Sequence, residues 1–152
     1  MELQVRDVRL TDIDQITAVV ERAGTQWTTR QSSDAADLLR RMIYLPNAGV
    51  LAAMDGRNVA GVAVLALRPS LSAGGLVGTI DLLAIDPGQH ASGVIDALLR
   101  ELTRSARNKG CVLLEATPPD DPAEAALWQR AGFVEAGARL SCQLNRVANT
   151  AG

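Results

Sequence analysis

The sequence predicts a mixed α/β domain: one mostly antiparallel sheet of about seven strands with helices on both faces, in the order β-α-α-β-β-β-α-β-α-β-β. Two observations carry this. The apolar period switches repeatedly along the chain between that of a strand and that of a helix. One stretch, Leu76 to Lys109, joins a strand to a helix through a short polar loop, and such a unit needs a parallel neighbour, while the strands before it are joined closely enough to run antiparallel.

Glu2 to Leu10 alternates apolar and polar residues with a slip after Val5, and reads as the first strand. Thr11-Asp12-Ile13-Asp14 has the spacing of a capping box, and Ile13, Ile16, Val19 and Val20 then share one helical face that Gly24 ends. Gln26 to Gln31 is polar and holds Trp27. A second helix starts near Ser32 or Ser33, buries Ala36, Leu39, Met42 and Ile43, and stops before Pro46. Ala48 to Met54 and Val59 to Leu67 are strands joined by the hairpin signal Asp55-Gly56-Arg57-Asn58. Arg68 to Gly75 is a loop.

Leu76 to Ile85 is apolar and rich in β-formers, and Asp86-Pro87-Gly88 is turn chemistry that ends it. From Ser92, Val94, Ile95, Leu98, Leu99, Leu102 and Ala106 recur at helical spacing. Arg104, Arg107 and Lys109 suit the negative end of that helix, and Gly110 stops it. The first helical amides, from Ala91 to Ile95, have no partner within the helix and sit where its dipole is positive, so a phosphate or pyrophosphate is the ligand they suit. An ordinary strand-to-helix connection would look the same.

Cys111 to Ala116 is the next strand. Asp121-Pro122 with Glu124 opens a short helix that Gly132 closes. Phe133 to Glu135 and Ala138 to Leu144 can pair as a last hairpin across Gly137. Residues 1–145 form a single domain and 146–152 a frayed tail.

With 152 residues, 47% hydrophobic and 21% charged, the chain is long enough for a true core, and 3% aromatics means that core is aliphatic. A net charge of −2 with no basic stripe argues against nucleic acid. No apolar run reaches the length of a membrane span, and the charged N-terminal residues hold no signal-peptide core, so the expectation is a cytoplasmic protein with no membrane partner. The two cysteines, Cys111 and Cys142, show no metal-ligand spacing and read as buried reduced thiols; no metal is expected.

Ile80-Asp81-Leu82-Leu83-Ala84-Ile85-Asp86-Pro87, followed by Gly88-Gln89-His90-Ala91-Ser92-Gly93-Val94-Ile95, resembles the central segment of the GNAT-family N-acetyltransferases. That segment is a strand, an acetyl-CoA loop of the form R/Q-x-x-G-x-G/A, and a helix. His90 stands at the Arg/Gln position, Gly93 at the first Gly and Ile95 at the second. The element order matches the family over nearly the whole chain. Ala125-Ala126-Leu127-Trp128-Gln129-Arg130-Ala131-Gly132-Phe133 is similar to its L-Y-x-x-x-G-F signature, with Trp128 at the Tyr position.

The resemblance implies an acetyl-CoA-dependent N-acetyltransferase acting on a primary amine, small molecule or peptide, by direct attack on the thioester. It implies that acetyl-CoA lies along Leu83, Ala84 and Ile85, with its diphosphate on the loop residues His90, Ala91, Ser92, Gly93, Val94 and Ile95. Asp81, an acid in an otherwise apolar strand, is the general-base candidate, raised in pKa by burial; an acid that orders a neighbouring loop is the other reading. Trp128 lacks a proton to give a thiolate at neutral pH. Trp27, Arg30 and Tyr44 fall in the region that shapes the family's acceptor pocket, although Trp27 could equally lid the core. The departures at His90, Ile95 and Trp128 motivate a rival reading: a catalytically impaired GNAT-like module for CoA or protein binding. A homodimer stays open, and the family's sheet would make Cys111 and Cys142 neighbours.

Overall fold

A computed structural model of the chain describes residues 2–24, 32–137, 139, 140 and 142. It contains β1 (Leu3–Asp7), a 3₁₀ turn (Leu10–Asp12), α1 (Ile13–Arg22), α2 (Ser32–Met42), β2 (Ala48–Asp55), β3 (Asn58–Ser70), β4 (Gly75–Ile85), α3 (Ala91–Asn108), β5 (Cys111–Ala116) and α4 (Pro122–Arg130). The strands form one sheet in chain order, antiparallel from β1 to β4, with β5 parallel to β4. The crossover from β4 to β5 is α3, as a parallel pair requires.

The period-two pattern divides the core between two layers. Val50, Ala52, Val62 and Val64 face α1 and α2, where Ile13, Ile16, Val19, Val20 and Leu39 meet them. Leu51, Ala53, Ala63 and Leu65 face the other way, onto Val94, Leu98 and Leu102 of α3. The side chains are almost all aliphatic, as the composition requires.

The first helix begins differently from expectation. Thr11 is not its cap. The Asp12 carboxylate receives the Arg9 amide at 2.8 Å and both outer nitrogens of Arg6, at 2.7 and 3.1 Å, so the acid closes the 3₁₀ turn and pins β1 to it. β3 and β4 are also longer than expected: β3 runs on to Ser70, and only a tight turn with Gly74 at φ +77° separates it from Gly75.

Among the described residues the sheet has five strands, not about seven. Phe133–Glu135 carries no strand, and the outer edge of β5 has no hydrogen-bonded neighbour among the described residues. Alternation gives a segment the capacity to be a strand, but a strand exists only where a neighbour completes its ladder. Most of the expected final strand, and the tail at 146–152, lie outside the described residues. Cys142 is exposed and Cys111 half-buried, so the expectation of two buried thiols fails at Cys142.

Candidate functional site

β4 outruns its parallel neighbour. The last pair between them is Ile80 with Ala116, after which β5 ends and the chain leaves through Thr117-Pro118-Pro119. Two successive prolines offer no N–H to a ladder, so the strands part there. From Asp81 to Ile85, β4 is paired with β3 on one side and, among the described residues, has no strand on the other. The Asp86 amide donates to the Ala60 carbonyl at 2.9 Å. By strand alternation Ala84 and Leu82 also spend their main-chain groups on β3, while Leu83 and Ile85 aim theirs at the open side.

The register of β3 against β4 slips at the same level. Leu65 pairs with Ile80 and Val64 with Leu82, leaving Asp81 as the extra residue of a bulge. The slip changes which face the strand presents: Ile80, Leu83 and Ile85 pack on the α3 layer and Leu82 and Ala84 on the α1 layer. Asp81 itself is exposed. The expectation that burial tunes it therefore does not hold, because the unpaired bulge residue sits where the strands have separated.

The loop after β4 is tied at its first residue. One Asp86 carboxylate oxygen accepts from Arg22 Nη2 at 2.8 Å, the other from the Gly88 amide at 3.2 Å, and the Asp86 carbonyl accepts the Gln89 amide at 2.9 Å. The Arg22 hydrogen bond, helped by that of Gly88, holds the Asp86 carboxyl below its ordinary pKa. His90 then stands as the N-cap of α3 in extended conformation, and its ring nitrogen Nδ1 shares a hydrogen bond of 3.1 Å with Ser92 Oγ. Its carbonyl accepts the Val94 amide at 3.2 Å, so the amides of Ala91, Ser92 and Gly93 precede the helix ladder. The first turn contains no acid to compete with an anion.

Ile95 does not occupy that space. It is 3% exposed and belongs to the core with Val94, Leu98 and Leu99. Gly93 stands over open ground: a β-carbon there would meet nothing nearer than His90 Nδ1, at 3.8 Å. Gly61 keeps the turn close to the sheet, since a β-carbon at Gly61 would stand 2.6 Å from Val94 Cγ1 and 3.2 Å from the Ala84 carbonyl.

The other sequence candidates are not gathered here. Trp27 and Arg30 lie outside the described residues. Tyr44 is 71% exposed and precedes β2, whose first pair is Ala48 with Ala66, whereas Ile85 pairs with Gly61 toward the other end of β3. Trp128 is buried, meets Phe133 edge-on at 5.0 Å, and gives its indole N–H to Glu124 at 3.1 Å. A shallow cleft of about 420 Å³ separates α1 from α2 and carries Asp14, Glu21 and Asp37, the last paired with Arg40 at 2.7 Å. Sequence reasoning missed Arg22 and Gly61. A glycine inside a buried strand signals close approach and could have been found; nothing local announces an ion pair between residues 22 and 86.

Residues 16–133 match the family model described as "Acetyltransferase (GNAT) family". No curated protein sequence matches the chain. Among solved structures, a transcriptional regulator from Bacillus halodurans C-125 superposes with a TM-score of 0.80 at 16% identity, covering 94% of this chain and 100% of that one. An integron cassette protein from the mobile metagenome of Cole Harbour Salt Marsh gives 0.79 at 23%, covering 97% and 92%. A ribosomal-protein-alanine N-acetyltransferase from Brucella melitensis biovar Abortus 2308 gives 0.70 at 18%, covering 97% and 100%. Likeness at such identities shows the fold alone.

Proposed function

The chain belongs to the GNAT acetyltransferase family, and from that premise we propose that it transfers acetyl from acetyl-CoA to a primary amine by direct attack on the thioester. The observation that carries the reading is the open side of β4, with the Leu83 and Ile85 main chain facing it, leading straight into the free amides of α3. The diphosphate would rest on Ala91, Ser92 and Gly93, with Val94 and Ile95 forming the wall behind and the His90 ring beside it. An amide of β4 would polarise the thioester carbonyl.

In the transfer the amine nitrogen bonds to the carbonyl carbon as the carbon–sulfur bond breaks. Asp81 takes the ammonium proton, directly or through water, and solvent protonates the leaving thiolate. An exposed acid suits this role when the acceptor arrives through solvent. The α1–α2 cleft supports a cationic acceptor: Asp14 and Glu21 line it, and the same helix reaches the β4 loop through Arg22.

The test is thiol release from acetyl-CoA across a panel of primary amines. At least one amine should give turnover that Asp81→Asn lowers by roughly 10²-fold or more with acetyl-CoA affinity kept. Unchanged turnover in the variant removes Asp81 from the role.

A further inference from the structure

A second cleft lies at the far end of the sheet. It measures about 180 Å³ and wraps the start of β2 where β1 has already ended. On the α3 face its floor is apolar, built on Leu51 and Leu65, and Asp7 and Lys109 flank it with opposite charges. Neither charge has an ion-pair partner among the described residues.

The main chain adds an acceptor. Asn47 gives its carbonyl to the Leu67 amide on the β3 side, and Val50 gives its carbonyl to the Val8 amide on the β1 side. Alternation then directs the Ala48 carbonyl to the β1 side, one step beyond the last β1 contact, where the ladder supplies no donor. The cleft therefore offers a carboxylate and a carbonyl for a cation, an ammonium for an anion, and an apolar floor between them. A cavity of roughly 150 Å³ holds benzene, so a ligand of eight or nine heavy atoms fits a slightly larger open cleft.

We propose that this cleft binds a free α-amino acid with a small aliphatic side chain: its ammonium toward Asp7 and the Ala48 carbonyl, its carboxylate toward Lys109, its side chain on Leu51 and Leu65. Ser105 and Lys109 belong to the end of α3 remote from His90, and an 18-residue helix is about 27 Å long. The ligand would thus occupy a site separate from the acetyl-transfer cleft, and the proposal does not rest on that function.

The probe is L-leucine, followed by amide NMR on the full chain, with isoamylamine and isocaproate as the two half-molecules. Saturable shifts are expected at Asp7, Gly49, Leu51, Ser105 and Lys109, with leucine bound roughly tenfold more tightly than either half. Lys109→Met should erase leucine's advantage over isoamylamine. Gly49→Val should abolish binding without unfolding, because a β-carbon at Gly49 meets nothing within 4 Å and a branched residue suits a strand. Three results would each overturn the proposal: no saturable shift at millimolar leucine, shifts centred on Leu83 to Gly93, or leucine binding no better than its halves.

Discussion

Arg22 Nη2 meets Asp86 Oδ2 at 2.8 Å, joining the last turn of α1 to the first residue beyond β4. The contact links the helical layer on one face of the sheet to the loop that opens α3 on the other. Arg22 is half exposed, so the pair contributes little stability, under about 1 kcal/mol. Its consequence lies in holding the loop. Arg22→Met should leave the denaturant midpoint nearly unchanged and weaken acetyl-CoA binding by roughly two- to fivefold, read by calorimetry. Equal affinity in variant and parent would strip the pair of that role.

Gly61 should resist any side chain. A methyl group there overlaps Val94 Cγ1 at 2.6 Å and crowds Leu98 Cδ1 at 3.1 Å, so α3 must move away from the sheet. Gly61→Ala is expected to cost about 1–3 kcal/mol, the usual penalty for overpacking. The displaced first turn should also bind acetyl-CoA less well. Urea melts and calorimetry on the same preparation read both effects.

The loss of stability in acid should run in large part through Asp12. The Arg6 hydrogen bond, opposed by burial and helped by the Arg9 amide, holds the Asp12 carboxyl below its ordinary pKa in the folded state. A carboxyl depressed by folding stabilises fully above its unfolded pKa of about 3.9 and loses that contribution as pH falls through the folded value. Asp12→Asn should therefore flatten the acid limb of stability against pH and lower stability near neutrality by about 1–3 kcal/mol. The same sign holds for Asp86, with a smaller effect because its partner Arg22 is half exposed.

Much of this architecture is written in local pattern. The aliphatic stripe from Val94 to Ala106 specified α3, Asp121-Pro122 specified the start of α4, and Asp55-Gly56 specified a hairpin, because each depends on neighbours in sequence. Contacts between distant segments left no such trace. The bulge at Asp81 arises from register against β3, and the exposure of Asp81 from where β5 stops. The prolines at 118 and 119 did mark that stop, and they read in the sequence only as a loop.

His90 offers a graded test of the α3 loop. Arginine at this position would bring a fixed, delocalised cation with a fork of donors that matches phosphate oxygens. His90→Arg should tighten acetyl-CoA binding by up to about tenfold, and His90→Ala should weaken it by a few-fold, with a shallower salt dependence. If all three proteins bind alike, the ring does not face the diphosphate.

The most direct measurement is calorimetric titration with desulfo-CoA, which carries the diphosphate and the pantetheine arm without a reactive thioester. A micromolar dissociation constant, lost when Gly93→Asp places a carboxylate over the open first turn of α3, is the result expected. No heat of binding at millimolar ligand, or affinity indifferent to Gly93→Asp, would contradict the claim that β4 and α3 together form the acetyl-CoA site.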